Sequence, residues 1–164
     1  MATSLKNLSS TANMSVPSAK GMHFAIVVSE WNTQITGALQ KAAINSLLKH
    51  GAKAKNIVIR SVPGSFELSL GAQFAAQLEA IDAVICLGCV IQGETRHFDF
   101  ICNAVANGIT NVGLMYNKPV IFGVLTTNDL KQARERAGGK HGNKGDEAAI
   151  TAIQMVALKR NIRK

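Results

Sequence analysis

Three cysteines, three prolines, one tryptophan and one tyrosine are all that 164 residues contain of those types, and each scarcity closes a route. Three is an odd, sparse number of cysteines for a chain this long, which excludes a disulfide scaffold and sets a reduced, cytoplasmic protein as the expectation. One tryptophan and one tyrosine supply a poor platform for stacking bases, so a nucleic-acid module is disfavoured. No run of about 18 apolar residues is present, and nothing in the sequence reads as a membrane span. Acidic residues are scarce too: ten stand against 18 Lys and Arg, for a net charge of +8. That surplus favours an anionic partner, which charge alone leaves open between nucleic acid, anionic lipid and a phosphorylated small molecule.

What is present is a globular composition, 47% hydrophobic and 17% charged, which excludes a disordered or fibrous chain. A domain of this length buries roughly 70% of the surface its unfolded chain exposes, so it needs no covalent staple. Residues 1–20 hold nine Ser, Thr or Asn and no acid. They lack the apolar core of a secretory signal and the arginines of a transit peptide. The expectation is a flexible arm over 1–20, ordered by a neighbouring subunit if at all, and one domain over 21–164.

Beyond the arm, short apolar runs alternate with helical patterns. His23–Val28, Asn56–Val62, Ala83–Ile91 and Val120–Leu125 read as four strands, apolar enough to be buried on both faces of a parallel sheet. Ile35, Leu39, Ala42, Ala43 and Leu47 recur at helical spacing before a stop at Gly51. Leu68, Gly71, Ala75 and Leu78 mark a second helix, and a third is expected from about Phe98 to Asn107. Asn128 is the expected cap of a helix reaching Ala137. A loop over Gly138–Gly145 then leads to a last helix carrying Ala149, Ile153, Val156 and Ala157 on one face. Such a βα alternation gives a three-layer α/β domain. Its ligands sit at the carboxyl ends of the strands, at Trp31-Asn32, at Pro63-Gly64-Ser65, between Gly88 and His97, and at Thr126-Thr127.

Several groups there carry chemistry. The segment from Gly88 to Thr95 approaches a phosphate-binding P-loop, but Glu94 stands where the lysine belongs and would repel a triphosphate. The same backbone at a helix start suits a single phosphate. Cys86, Cys89, His97 and Cys102 look like a metal cluster until geometry is applied: residues three apart on a strand face opposite ways, so buried structural thiols are expected, and no metal. His97, in the turn after the third strand, reads either as an acid–base group or as a helix-capping histidine. Arg134 and Arg136 read either as a solvated helix face or as a guanidinium clamp for phosphate. Trp31 could cap a core or stack on a planar ligand, and Glu67 suits the hydroxyls of a sugar or polyol.

Five stretches occur in this order: Ser29-Glu-Trp-Asn32, Val62-Pro-Gly-Ser-Phe-Glu67, Gly88-Cys-Val-Ile-Gln-Gly-Glu-Thr-Arg-His-Phe-Asp99, Phe122-Gly-Val-Leu-Thr-Thr127 and Arg136-Ala-Gly-Gly-Lys-His-Gly-Asn-Lys-Gly145. Together they make the chain resemble the lumazine synthases over about Met22 to Leu158. The resemblance implies a flavodoxin-like sheet of four parallel strands flanked by helices. It also implies condensation of 5-amino-6-(D-ribitylamino)uracil with 3,4-dihydroxy-2-butanone 4-phosphate to a lumazine, phosphate and water, without cofactor or metal. By the same resemblance, Trp31 stacks on the pyrimidine, and Ser65, Phe66 and Glu67 hold the ribityl chain. Cys89, Val90 and Ile91 read the uracil edge through their backbone, and Glu94 and Thr95 bind the four-carbon phosphate. His97 transfers protons. Phe122 and Arg136 arrive from a neighbouring subunit, with Arg136 on the phosphate.

Gln92 stands where many members have Arg, and Cys89 where many have Thr or Ser. The resemblance further implies a pentamer, assembly of twelve pentamers into an icosahedral shell, and association with riboflavin synthase. Two rivals are a flavin-binding module of the same fold without turnover, and a basic nucleic-acid binder working through the Lys159–Lys164 tail.

Overall fold

The computed structural model describes residues 15–162. Each apolar run becomes a strand: β1 (Phe24–Ser29), β2 (Ile57–Val62), β3 (Ala83–Ile91) and β4 (Val120–Thr127). They form a parallel sheet in the order β2-β1-β3-β4, the flavodoxin-like arrangement of a doubly wound α/β fold. Helices α1 (Thr33–Lys49), α4 (Leu130–Glu135) and α5 (Lys144–Ile162) cover one face, while α2 (Leu68–Ala76) and α3 (His97–Met115) cover the other. The period of two along the strands sorts the core accordingly. Phe24, Ile26, Ile85 and Leu87 pack with Ile35, Leu39 and Ile153; Val27, Val84, Cys86 and Val124 pack with Leu68, Val105 and Ile109.

β1, β3 and most of β4 are buried as their sequences demand. β2 differs, with Ile59, Arg60 and Ser61 exposed, because it is an edge strand paired only with β1. Gly51 ends α1 as expected, at φ 99°. α2 closes earlier than its pattern suggests and leaves Leu78 outside it and exposed. α3 runs eight residues past Asn107 to Met115, because Val105, Ile109 and Val112 keep one buried face that outweighs the poor helix formers between them.

The cap of α4 is Asp129, not Asn128. The Asp129 carboxylate accepts from Gln132 N–H at 2.8 Å, and Gln132 Oε1 accepts from Asn128 N–H at 3.0 Å, a reciprocal capping pair. α4 stops at Glu135, so Arg136 follows the helix as its C-cap. The expected loop over 138–145 holds a small antiparallel hairpin, β5 (Ala137–Gly139) with β6 (Gly142–Asn143), and α5 begins at Lys144. Gly138 and Gly142, at φ 109° and 77°, allow that reversal.

Residues 1–14 of the arm lie outside the described residues. Of the remainder, Ala19 is fully buried and its N–H bonds to His50 O at 2.8 Å, so the end of the arm rests on the foot of α1. At the far end, Arg160 Nη2 on α5 donates to Gly21 O at 3.1 Å and to Asp82 Oδ2 at 3.2 Å.

Two apolar clefts flank the sheet's two edges. One, of about 500 Å³, lies between β2 and α2 and is lined by Leu70, Phe74 and Leu78. The other, of about 470 Å³, lies beside β4 and is lined by Leu114, Met155, Leu158 and Ile162.

Candidate active site

The strand order reverses between β1 and β3, and a cavity of about 560 Å³ opens at the carboxyl ends there. Three loops build it. The turn after β1 supplies Trp31 and Asn32; the loop after β2 supplies Gly64, Ser65, Phe66 and Glu67; the end of β3 and the first turns of α3 supply Cys89, Val90, Ile91, His97 and Ile101. Eight residues singled out in the sequence thus meet in one place: Trp31, Ser65, Phe66, Glu67, Cys89, Val90, Ile91 and His97.

Trp31 is 72% exposed and Phe66 56%, which leaves aromatic faces open to a planar ligand rather than committed to a core. The backbone after β1 is tied to the end of β2 through Glu30 N–H to Val62 O at 2.9 Å and Trp31 N–H to Pro63 O at 3.3 Å. Glu67 Oε2 accepts from Gly64 N–H at 3.0 Å, which holds the loop shut and keeps a carboxylate on the rim. The Ser65 hydroxyl is buried and makes no hydrogen bond to another protein group. It packs where Gly88 has no side chain; a Cβ there would lie 2.7 Å from Ser65 Oγ.

His97 is exposed and is the first residue of α3, not a turn residue. Its N–H donates to Thr95 Oγ1 at 3.4 Å. Glu94 and Thr95 lie in the preceding turn, outside the cavity lining but next to its histidine. The start of a 19-residue helix is also here, with N–H groups and a dipole that favour an anion.

Phe122 and Arg136 do not line this cavity. Phe122 is exposed on β4, the sheet's other edge. Arg136 lies beyond α4, where Nη2 donates to both Glu147 oxygens at 2.9 and 3.1 Å and Nη1 donates to His141 O at 2.7 Å. Lys144 Nζ shares the same carboxylate at 3.2 Å. Two cations thus divide one nearly buried carboxylate, and the cluster retains a net positive charge for an anion. Sequence reading missed Lys144 and Glu147. Their spacing of three at the start of a helix was the available signal, but nothing local tied them to Arg136. Arg134 is exposed and donates to Gln34 Oε1 at 3.2 Å, apart from that cluster.

Cys86 and Cys89 pack in the cores on opposite faces of the sheet, so they share no ligand. Burial pushes their thiols up to about 12 and about 11. Both therefore stay protonated and unreactive at neutral pH. Iodoacetamide at pH 8 should leave both unmodified in the folded protein and label them once it is unfolded, as mass spectrometry of the peptides will show. Because the folded state holds these protons more tightly, their contribution to stability is complete below about pH 8 and falls as the pH rises towards 11.

The 6,7-dimethyl-8-ribityllumazine synthase family profile matches residues 21–160. A 6,7-dimethyl-8-ribityllumazine synthase of Cytophaga hutchinsonii is 62% identical over 157 residues, covering 96% of this chain and 98% of its own. Those of Parabacteroides distasonis and Phocaeicola vulgatus are 55% and 51% identical, covering 95% and 100% of this chain and 98% of their own.

Proposed function

Because the chain belongs to the 6,7-dimethyl-8-ribityllumazine synthase family, a family of transferases in riboflavin biosynthesis, we propose a division of labour within its site for the condensation of 5-amino-6-(D-ribitylamino)uracil with 3,4-dihydroxy-2-butanone 4-phosphate. The observation that carries this reading is the convergence of an open tryptophan, a rim carboxylate, a free strand end and a histidine on one cavity. Trp31 stacks on the pyrimidine, and the strand end formed by Cys89, Val90 and Ile91 meets its edge. Ser65, Phe66 and Glu67 receive the ribityl chain; Glu67 and the unpartnered Ser65 hydroxyl suit a polyol.

The four-carbon phosphate lies at Glu94 and Thr95, against the start of α3, with Arg136 of an adjacent subunit completing its contacts. The aryl amine adds to the ketone and water leaves, giving an imine. Phosphate is then eliminated, and the ribitylamino nitrogen closes the ring with loss of a second water. Each step moves protons and none needs a side-chain nucleophile. His97 gives and takes them as the general acid–base group. Holding the two substrates together supplies up to ~7–11 kcal/mol of the barrier reduction in favourable cases.

The test is direct: purified protein given both substrates should produce lumazine fluorescence and release phosphate. A yellow protein without turnover would favour the flavin-binding reading instead.

Arg136→Lys should raise the Michaelis constant for the butanone phosphate about tenfold and that for the pyrimidine only slightly, since an ammonium cannot copy the guanidinium fork. Arg134→Ala should leave both unchanged. Steady-state kinetics with each substrate varied in turn decides between the two positions.

The assembly follows from the same reading. Phe122 and Arg136 lie away from their own cavity, and the apolar clefts border different edges of the sheet. Such unlike faces pair head to tail and close into a ring. The proposed ring is a pentamer, and the compact β5–β6 hairpin leaves room for twelve pentamers to form a shell. Sedimentation at neutral pH separates the outcomes: a species near 17 kDa rejects any ring, and a stable five-subunit species rejects the shell. Association with riboflavin synthase, tested by co-sedimentation, and a cytoplasmic location, in keeping with three free thiols, complete the proposal.

A further inference from the structure

Asn32 adopts φ 58° and ψ 46°, one of two described non-glycine residues in the left-handed region. Glycine and asparagine tolerate that conformation best, and here it turns the chain from β1 into α1 while leaving Trp31 facing outward. Asn32 O accepts from Ile35 and Thr36 N–H at 2.8 and 3.0 Å, starting the helix. Its side chain does something unrelated to the helix: Nδ2 donates to Cys89 O at 3.0 Å, across 57 residues of sequence.

The sheet explains why that carbonyl is available. β1 pairs with β3 only as far as Leu87, opposite Val28, whereas β4 pairs with β3 as far as Ile91. The end of β3 therefore projects past its β1 partner and presents one bare edge to the cavity. Gln92 N–H bonds to Thr127 O on β4, so alternation along the strand turns the backbone groups of Ile91 and Cys89 to the bare side. Asn32 occupies the Cys89 carbonyl as a substitute for the donor β1 no longer supplies. Ile91 remains as the polar backbone edge facing the ligand.

We propose that Asn32 is a positioning residue for pyrimidine binding, its amide fixing the angle between the stacking ring of Trp31 and the bare edge of β3. One side chain thereby sets both surfaces that grip the heterocycle, its face and its edge. The inference rests on the site reading above and deepens it.

Asn32→Gly keeps the left-handed turn and removes the amide; Asn32→Asp keeps the shape and sets a carboxylate against a carbonyl. Both should fold with a thermal midpoint near that of the parent. Both should raise the Michaelis constant for the ribitylaminouracil about tenfold, the effect of one lost hydrogen bond of roughly 1.4 kcal/mol, with that for the butanone phosphate unmoved. Trp31 is the only tryptophan, so its fluorescence anisotropy reads the ring alone and should fall in both variants. Trp31→Ala should weaken pyrimidine binding by itself, and adding Asn32→Gly to it should cost much less than tenfold, because the two act as a unit.

Parental pyrimidine affinity in Asn32→Gly and Asn32→Asp, with Trp31→Ala impaired, overturns the positioning role and leaves the site reading intact. Equal effects on both substrates, or full additivity with Trp31→Ala, overturn it as well. Parental affinity in Trp31→Ala overturns the site reading and this inference with it.

Discussion

Replacing His97 with alanine is expected to lower turnover about 10²-fold, within the usual range for a general acid–base group, while substrate dissociation constants change little. The expectation comes from position. His97 lines the cavity, at the start of α3 and two residues after the turn proposed to hold the phosphate. An exposed side chain can be truncated with little packing loss, so a fall in rate is not a fall in fold. Rapid-mixing kinetics with both substrates at saturation measures turnover, and equilibrium titration of each measures binding. Unchanged turnover, or a loss confined to binding, sinks the proton-transfer role.

The largest effect on stability should come from a single methyl group at Gly145. A Cβ at this position would lie 2.0 Å from the carbonyl oxygen of Leu39 and 2.8 Å from its carbonyl carbon. Both are backbone atoms of α1, which cannot rotate aside as a side chain would. Either α5 moves away from α1 or the first turn of α5 unwinds, and the second course would disturb Lys144 and Glu147 and with them Arg136. Overpacking of this kind costs about 3 kcal/mol at the upper end of the common range. For a domain of this size that lowers the midpoint of thermal unfolding by about 6–12 °C. Calorimetry on Gly145→Ala checks it. Gly37→Ala is the matched control, because a Cβ there meets nothing within 4 Å; it should be neutral or slightly stabilising.

The strands were legible because each is a short, β-branched, nearly continuous apolar run, and burial on both faces leaves a sequence little other use. The helix face over Ile35, Leu39 and Leu47 was legible from its recurrence every three to four residues. Where packing between distant segments decides, the sequence is silent. The last eight residues of α3 include Gly108, Thr110 and Asn111, all poor helix formers. A Cβ at Gly108 would lie 2.2 Å from Ser69 Oγ on α2, so the glycine serves a close crossing of helices rather than a break. The β5–β6 hairpin has strands of three and two residues, too short for any period to register.

The same limit applies to the site. Strand ends pointed to the cavity, since the rule for open α/β sheets needs only the order of elements. That Arg136 is held by Glu147, and that Asn32 reaches Cys89, are tertiary facts with no local trace. That Phe122 and Arg136 lie off the cavity of their own chain is what the resemblance implies, and no single motif shows it.

β1 has a consequence for the making of the protein. Among the described strands it leaves the ribosome first, yet it occupies the interior of the sheet, with all six residues buried. Its neighbours are β2 and β3, and the second of these begins at Ala83, 54 residues after β1 ends at Ser29. At about 5–20 residues per second, the nascent chain carries an uncovered apolar strand, Phe24 to Val28, for roughly 3–11 s. During synthesis that segment is the natural binding place for a chaperone, and the part of the chain most exposed to aggregation.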